Sequence, residues 1–288
     1  MRFDRVIVAD WSASSTRSPA APSADAIWLG SIDALGASST YHRSRASAEA
    51  ALSQAIDTAL AAGESLLIGC DFPMGYPKGF AARLTGIAHA RAVWGWLADH
   101  IQDSPDNRNN RFQIAEQINR KFATAASKGP FWGRPAALNL PELPATKAIS
   151  YAALRLCERR AVETIVPRAQ PVWKLYTTGA AGSQGLMGQP MINRLSQHPD
   201  VAVWPFDRAA QITLAEVYPS LIAAAVTAAV TADPAAIKDE AQVRLLARAL
   251  FALSLQDRLA PLLDAPSCAE EGWILGAGQS AGLLTALT

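Results

Sequence analysis

Three short apolar runs, residues 5–10, 66–71 and 212–216, each end on an acid: Asp10, Asp71 and Glu216. Runs that are apolar at nearly every position read as strands covered on both faces. Such strands belong to a sheet sandwiched between helices, which points to an α/β fold. A carboxylate at the end of a buried strand is costly unless it is solvated, paired or bound to a metal. If the three strands are neighbours, their acids converge at one edge of the sheet.

The order of elements narrows the topology. Residues 26–32 read as a second strand, residues 36–38 as a turn and residues 39–43 as a third strand. Their short links favour an antiparallel meander. Residues 11–25, rich in Ser, Ala and Pro, read as a loop. A helix over 47–62 follows, ended by Gly63, and leads into the 66–71 strand, which Pro73 terminates. A doubly wound fold would alternate strand and helix from the start. The expectation is therefore a mixed sheet, an antiparallel three-strand meander followed by parallel strands, flanked by helices. At 288 residues, 50% hydrophobic and 18% charged, the chain has the material for one large core, and residues 1–288 are taken as a single domain. Cys70, Cys157 and Cys268 are far apart and lack metal-ligand spacing, so a reducing, cytoplasmic setting is expected. Residues 1–5 lead straight into a strand without a signal-peptide stretch, and the alanine-rich residues 221–232 are too short to span a bilayer.

Residues 104–174 differ from the rest. They carry 12 Lys and Arg against 5 acids, a local charge of +7 that leaves −6 over the remaining chain. Proline and aromatics gather there too, as in Gly129-Pro130-Phe131-Trp132-Gly133-Arg134-Pro135. This stretch reads as a basic insertion, helical near 111–125 and 148–164. Beyond it come a helix over 183–197, strands at 201–204 and 212–216, and helices over about 220–231 and 235–255. The glycines at 179, 182, 185 and 188 read as a tight turn into the 183–197 helix. They do not form a phosphate loop, since no Gly-Lys-Ser/Thr follows. The tail around Trp273-Ile274-Leu275 carries no assignment.

Each acid has a plain structural alternative. Asp10 can cap the Ser-rich turn after it, and Asp71 can stabilise the Phe72-Pro73-Met74-Gly75 turn. Glu216 can pair with an arginine of the insertion. A fourth acid comes from periodicity: Val243, Leu246, Leu250 and Leu253 form an apolar stripe on the last long helix, and Asp239 lies on it. Glu240 shares a face with Arg244 and Arg248 and is expected to point to water. The alternative for Asp239 is a favourable position at the positive end of the helix dipole, and Asp257 is a weaker candidate. Together, Asp10, Asp71, Glu216 and Asp239 are the hard oxygen donors that Mg²⁺ or Mn²⁺ takes.

The segments Val8-Ala9-Asp10-Trp11-Ser12, Asp71-Phe72-Pro73-Met74-Gly75, Glu216-Val217-Tyr218-Pro219-Ser220 and Lys238-Asp239-Glu240-Ala241, with a glycine-rich central block from Lys174 to Gly188, recur in that order. In this the chain resembles the ribonuclease-H-like superfamily, and more closely a bacterial and archaeal family of "predicted nucleases" with that fold. Asp71 stands where better-known nucleases of the superfamily carry Glu. The resemblance implies a two-metal carboxylate site at Asp10, Asp71, Glu216 and Asp239, hydrolysing a phosphodiester with Mg²⁺ or Mn²⁺. In that reading the basic insertion contacts the phosphates of a nucleic acid or another phosphate-bearing substrate, with Lys174, Arg168, Arg134 and Trp132 as candidate contacts. Phe131 or Phe112 would stack on bases, unless these aromatics form a small core of their own. Two other functions stay open: an ATP-using phosphotransfer enzyme of actin-like architecture, with Asp10 and residues 12–16 at the phosphates, and a non-catalytic module binding an anionic partner.

Overall fold

The computed structural model describes residues 2–166, 168–208, 210–266 and 269–288; Cys268 lies outside them. Strands β1 (Arg5–Asp10), β2 (Ile27–Asp33), β3 (Gly36–His42), β4 (Leu66–Asp71), β5 (Val201–Trp204) and β6 (Ile212–Glu216) form one mixed sheet in the order β3-β2-β1-β4-β6-β5. The β1-β2-β3 meander is antiparallel; β4, β6 and β5 run parallel to β1. The first turn falls earlier than expected. Asp33 pairs with Gly36, so Ala34 and Leu35 make a two-residue hairpin loop and β3 starts at Gly36. Gly36 has φ 137°, which a glycine adopts without steric cost.

The helices, in chain order, are α1 (Arg45–Ala62), α2 (Phe80–Thr85), α3 (Ala90–His100), α4 (Arg111–Phe122), α5 (Tyr151–Leu154), α6 (Ala161–Ile165), α7 (Ala181–Leu195), α8 (Ala223–Ala232), α9 (Lys238–Leu255) and α10 (Ser280–Thr285). Helix α1 begins where the Ser44 hydroxyl accepts the Ser47 N–H and stops at left-handed Gly63. Among the described residues no helix is long and apolar enough to cross a membrane.

Alternation along the strands sends side chains to two different cores. Val6, Val8 and Leu67 pack with Val243, Leu246, Leu250 and Leu253 of α9. Ile7, Ala9, Ile68, Cys70, Ile212 and Leu214 face the other side, with Leu52 and Ile56 of α1 and Met191 and Ile192 of α7. Each buried aliphatic of the α9 stripe is worth about 2 kcal/mol of removed apolar surface. Helix α9 lies directly on β2: a Cβ on Gly30 would fall 2.6 Å from the Val243 carbonyl carbon. That approach brings the first turn of α9 to the end of β1.

A third core lies within the long connection between β4 and β5. Tyr76, Phe80, Phe122, Phe131 and Trp173 pack there ring against ring, with Leu97 of α3 and Leu186 of α7. The apolar centre of the insertion is thus shared with α2 and α3, outside residues 104–174.

Candidate functional site

Asp10 and Asp71 are cross-strand partners at the carboxyl ends of parallel β1 and β4. Asp10 continues the Val6-Val8 alternation and Asp71 that of Leu67, so both carboxylates rise on the α9 side of the sheet. Asp239, in the first turn of α9, joins them there; its Oδ2 accepts the Asp25 N–H at 2.6 Å. Asp10, Asp25, Asp71 and Asp239 line one cavity of about 270 Å³, along with Trp11, Gln184 and Gln242, and among the described residues no Lys, Arg or His lines it. Burial, then the charges of Asp71, Asp239 and Asp25, hold the Asp10 carboxyl far above the ordinary carboxylate range. Burial, then Glu216 and Asp239, push Asp71 up to about 8. Asp239 is raised too, chiefly by burial, against the Asp25 N–H that favours its charged form. Without a cation, the cluster holds protons that an ordinary carboxylate would release.

The turn after Asp71 is fixed from all sides. Phe72 N–H donates to the Cys70 carbonyl, Gln189 Nε2 to the Pro73 carbonyl, and Trp94 Nε1 to the Met74 carbonyl. Helix α7 reaches this turn through its glycines: a Cβ on Gly188 would lie 2.4 Å from the Phe72 ring. Of the four glycines read as a turn, Gly179 alone turns the chain, at φ 74°; Gly182, Gly185 and Gly188 are helical.

Glu216 is placed differently. It pairs with Cys70, one residue before Asp71, and so follows Ile212 and Leu214 onto the opposite face. There Arg160, at the start of α6, forks it: Nη1 donates to Oε2 at 2.7 Å and Nη2 to Oε1 at 2.6 Å. The Met74 N–H adds a third bond to Oε2 at 2.9 Å. Arg160 also donates from Nε to Glu163 at 2.9 Å and from Nη1 to the Glu271 carbonyl at 3.0 Å. The Arg160 and Glu216 side chains are 1% and 4% exposed. The structural alternative for Glu216, a salt bridge to an arginine of the insertion, is therefore the arrangement present, and its oxygens are already engaged.

Glu240 is also a correction. It accepts from the Ser39 hydroxyl of β3 at 2.6 Å and is half-buried rather than turned to water.

The small cavity adjoins a larger cleft of about 980 Å³, and Ser12, Ala13, Asp25, Asp71 and Gln184 line both. Of the four candidate substrate contacts, Arg168 lines the cleft. Lys174, Arg134 and Trp132 line neither cavity among the described residues. Lys174 Nζ donates to the Thr178 carbonyl at 2.8 Å, and Arg134 holds the carbonyls of Leu143 and Leu138. Trp132 packs against the third core, and Phe131 is buried within it. Phe112, also buried, stands edge-on to Tyr176 with ring centroids 6.4 Å apart. Asp25, Arg111, Arg160 and Tyr218 line the cavities but were not among the site residues read from sequence. Asp25, in the loop over 11–25, carries no signal. Arg111 does carry one, because a cation in the first turn of a helix opposes the helix dipole.

As the side chains stand, no three His, Cys, Asp or Glu residues among those described converge tightly enough to hold one metal ion by themselves. The donor chemistry still suits a hard cation. Mg²⁺ keeps several waters and is commonly bound through one or two carboxylates completed by substrate phosphate. Asp10 and Asp71, adjacent in register and facing a cavity without a basic side chain, fit that sparse kind of site.

Compared with known protein-family models, curated proteins and solved structures, the chain matches none.

Proposed function

We propose that this chain is a divalent-metal-dependent phosphodiester hydrolase of ribonuclease-H-like architecture, acting on a nucleic acid or another phosphate-bearing substrate. The observation that carries the reading is the side-by-side register of Asp10 and Asp71 at the ends of parallel strands, with Asp239 on the same face and, among the described residues, no basic group in their cavity. The meander followed by parallel strands is the sheet such a fold requires.

Asp10 and Asp71 would hold Mg²⁺ or Mn²⁺, with Asp239 as the third carboxylate of the cavity. A bound divalent cation lowers the pKa of its water and stabilises charge on phosphoryl oxygens. The protein's own residues do the positioning. The tied-down turn at residues 72–75 fixes Asp71, the Asp25 N–H orients Asp239, and the Arg160 fork holds Glu216 in the wall of the cleft. Glu216 lines the larger cleft beside Asp71, and its charge raises the Asp71 carboxyl; in this reading it borders the site while its oxygens stay on Arg160 and the Met74 N–H. An actin-like architecture would carry a duplicated domain, and the described residues form one sheet, so the phosphotransfer alternative gains nothing from the topology.

The test is calorimetric titration of Mn²⁺ into wild type, Asp10→Asn, Asp71→Asn and Glu216→Gln, alone and with a short oligonucleotide. Saturable binding in wild type, lost in the two aspartate variants and kept in Glu216→Gln, is expected. No binding in wild type under either condition overturns the proposal.

A further inference from the structure

The larger cleft contains a cation that nothing in the acid cluster explains. Arg111, the first residue of α4, is 8% exposed and makes no ion pair among the described residues. Its Nε donates to the Ser183 hydroxyl at 3.0 Å, and its Nη1 to the Ser15 hydroxyl and to Asn109 Oδ1, both at 2.8 Å. These three neutral acceptors and the Phe112 ring, whose centroid lies 4.3 Å from Cζ, fix the plane of the guanidinium. Its Nη2 has no acceptor among the described residues, and the side chain lines the cleft. Asp103, the acid whose charge favours its protonated form, is committed to Arg45 at 2.6 Å. A buried guanidinium without a counter-charge is costly. Burial, then the nearby charge of Arg45, lowers its pKa to about 10. An anion in the cleft would offset that cost.

A second feature meets it there. Helix α7 has 15 residues, its N-cap Ala180 offers no side-chain cap, and its first turn lines the same cleft. The first two N–H groups are used: Ala181 donates to the Gly179 carbonyl and Gly182 to the Lys174 carbonyl, each at 3.0 Å. The Ser183 N–H has no acceptor among the described residues. The Ser183 hydroxyl is spent on Arg111 and on the Leu175 carbonyl. A helix N-terminus with an unused N–H, beside an arginine with an unused fork arm, is suited to a tetrahedral oxyanion.

We infer that Arg111 Nη2 and the Ser183 N–H form a phosphate-binding subsite at the N-terminus of α7. As a site for a substrate phosphoryl group it rests on the hydrolase reading; as an oxyanion site it does not. The subsite and the acid cavity share Gln184, whose Nε2 donates to the Trp11 carbonyl just after Asp10 at 2.7 Å. One substrate phosphate at Arg111 therefore lies within the cleft that opens onto Asp10 and Asp71.

The experiment titrates inorganic phosphate into the full chain in EDTA and follows backbone amide resonances. Saturable shifts at the Ser183 amide are expected in wild type. Arg111→Gln should weaken phosphate binding at least tenfold with the circular dichroism unchanged, and Arg111→Lys should fall between. An unmoved Ser183 amide, or phosphate binding in Arg111→Gln as tight as in wild type, overturns the inference. Should Arg111→Gln fail to fold, the wild-type Ser183 shifts decide alone. Competition by a nucleoside 5′-monophosphate or by an unphosphorylated dinucleotide then identifies a phosphomonoester or a phosphodiester as the source. Competition by neither removes the substrate assignment. Because EDTA excludes cations, phosphate binding without any Mn²⁺ site would leave this subsite standing and sink the hydrolase reading. A Mn²⁺ site without phosphate shifts would do the reverse.

Discussion

Replacing Arg160 by Met tests the central structural claim, that Glu216 belongs to a buried ion cluster. The substitution removes both arms of the fork on Glu216 and the Nε bond to Glu163. Two carboxylates are left facing each other, nearly without exposure, and the Met74 N–H and the Arg160 backbone N–H remain as their donors. Removing one partner of a buried pair costs about 3–5 kcal/mol. A chain of this length has an unfolding entropy on the order of 0.6 kcal/mol/K, so Tm should drop by about 5–8 °C. The loss should also depend on pH. Burial already holds the Glu163 carboxyl above the ordinary range, and Arg160 is the charge that opposes this; without the guanidinium Glu163 is more easily protonated in the folded than in the unfolded state, so its contribution holds below the ordinary carboxylate pKa and fades as pH rises through the raised one. Urea unfolding at pH 5 and pH 8, extrapolated to water, should show the larger deficit at pH 8. A deficit under about 1 kcal/mol, or an equal one at both pH values, would refute the reasoning and return Glu216 to the pool of available ligands.

Two further outcomes follow. In the cation-free protein the Asp71 carboxyl sits at about 8 against an ordinary 3.8. The folded state therefore keeps a proton that the unfolded state releases, and stability should fall as pH rises from about 4 to about 8. Thermal unfolding in EDTA across that range should show the fall in wild type and a clearly shallower one in Asp71→Asn; equal slopes would mean Asp71 does not titrate there. Gly30→Ala puts a methyl 2.6 Å from the Val243 carbonyl carbon, where backbone has to yield. It should cost about 1–3 kcal/mol and weaken Mn²⁺ binding by shifting Asp239, and a wild-type Tm would show that α9 does not press on β2.

The sequence announced strands through their apolar runs, and the ends of β1, β4 and β6 fall where those runs stop. What it could not announce was parity. Asp10 pairs with Asp71, but Glu216 pairs with Cys70. A one-residue difference in register sends a side chain to the other face of the sheet, and no local pattern in residues 212–216 records the neighbour's register. The same gap explains α7. A glycine every third residue looks like a tight turn until Phe72 and the carbonyls of Val172 and Lys174 are seen against Gly188 and Gly182. Helices α2 and α3 carried no strong boundary signal, and their burial is supplied by the third core. Asp239 was legible because a stripe of four apolar residues fixed the orientation of α9 before any contact was known. Arg111 was legible only as a cation misplaced in the first turn of a helix; its burial and its lack of a carboxylate partner are not revealed by composition.

The fate of the basic insertion changes how a polyanion would be held. Its positive charge suggests a broad attractive surface, yet most of its cationic side chains lie off the cleft, and several hold partners within the stretch. Arg120 pairs with Glu116 and Lys147 with Glu158; Lys128 reaches the Pro141 carbonyl, Arg159 that of Ala169, and Lys174 that of Thr178. Much of the stretch lies outside helix and sheet, so its carbonyls lack a ladder to bond with, and cationic side chains take that role. What remains on the cleft is Arg111, Arg168 and the Arg160 already committed to glutamates. Attraction to a phosphate at this site would therefore be local, carried by one or two guanidiniums and a helix terminus. A protein that neutralises so few phosphates has a shallow dependence of binding on salt. Under the proposed function, selectivity would come from the shape of the cleft, which Asp71 and Arg111 both line and which adjoins the cavity of Asp10 and Asp239; a substrate phosphate would offset the burial cost of Arg111, and a cation the repulsion among the acids.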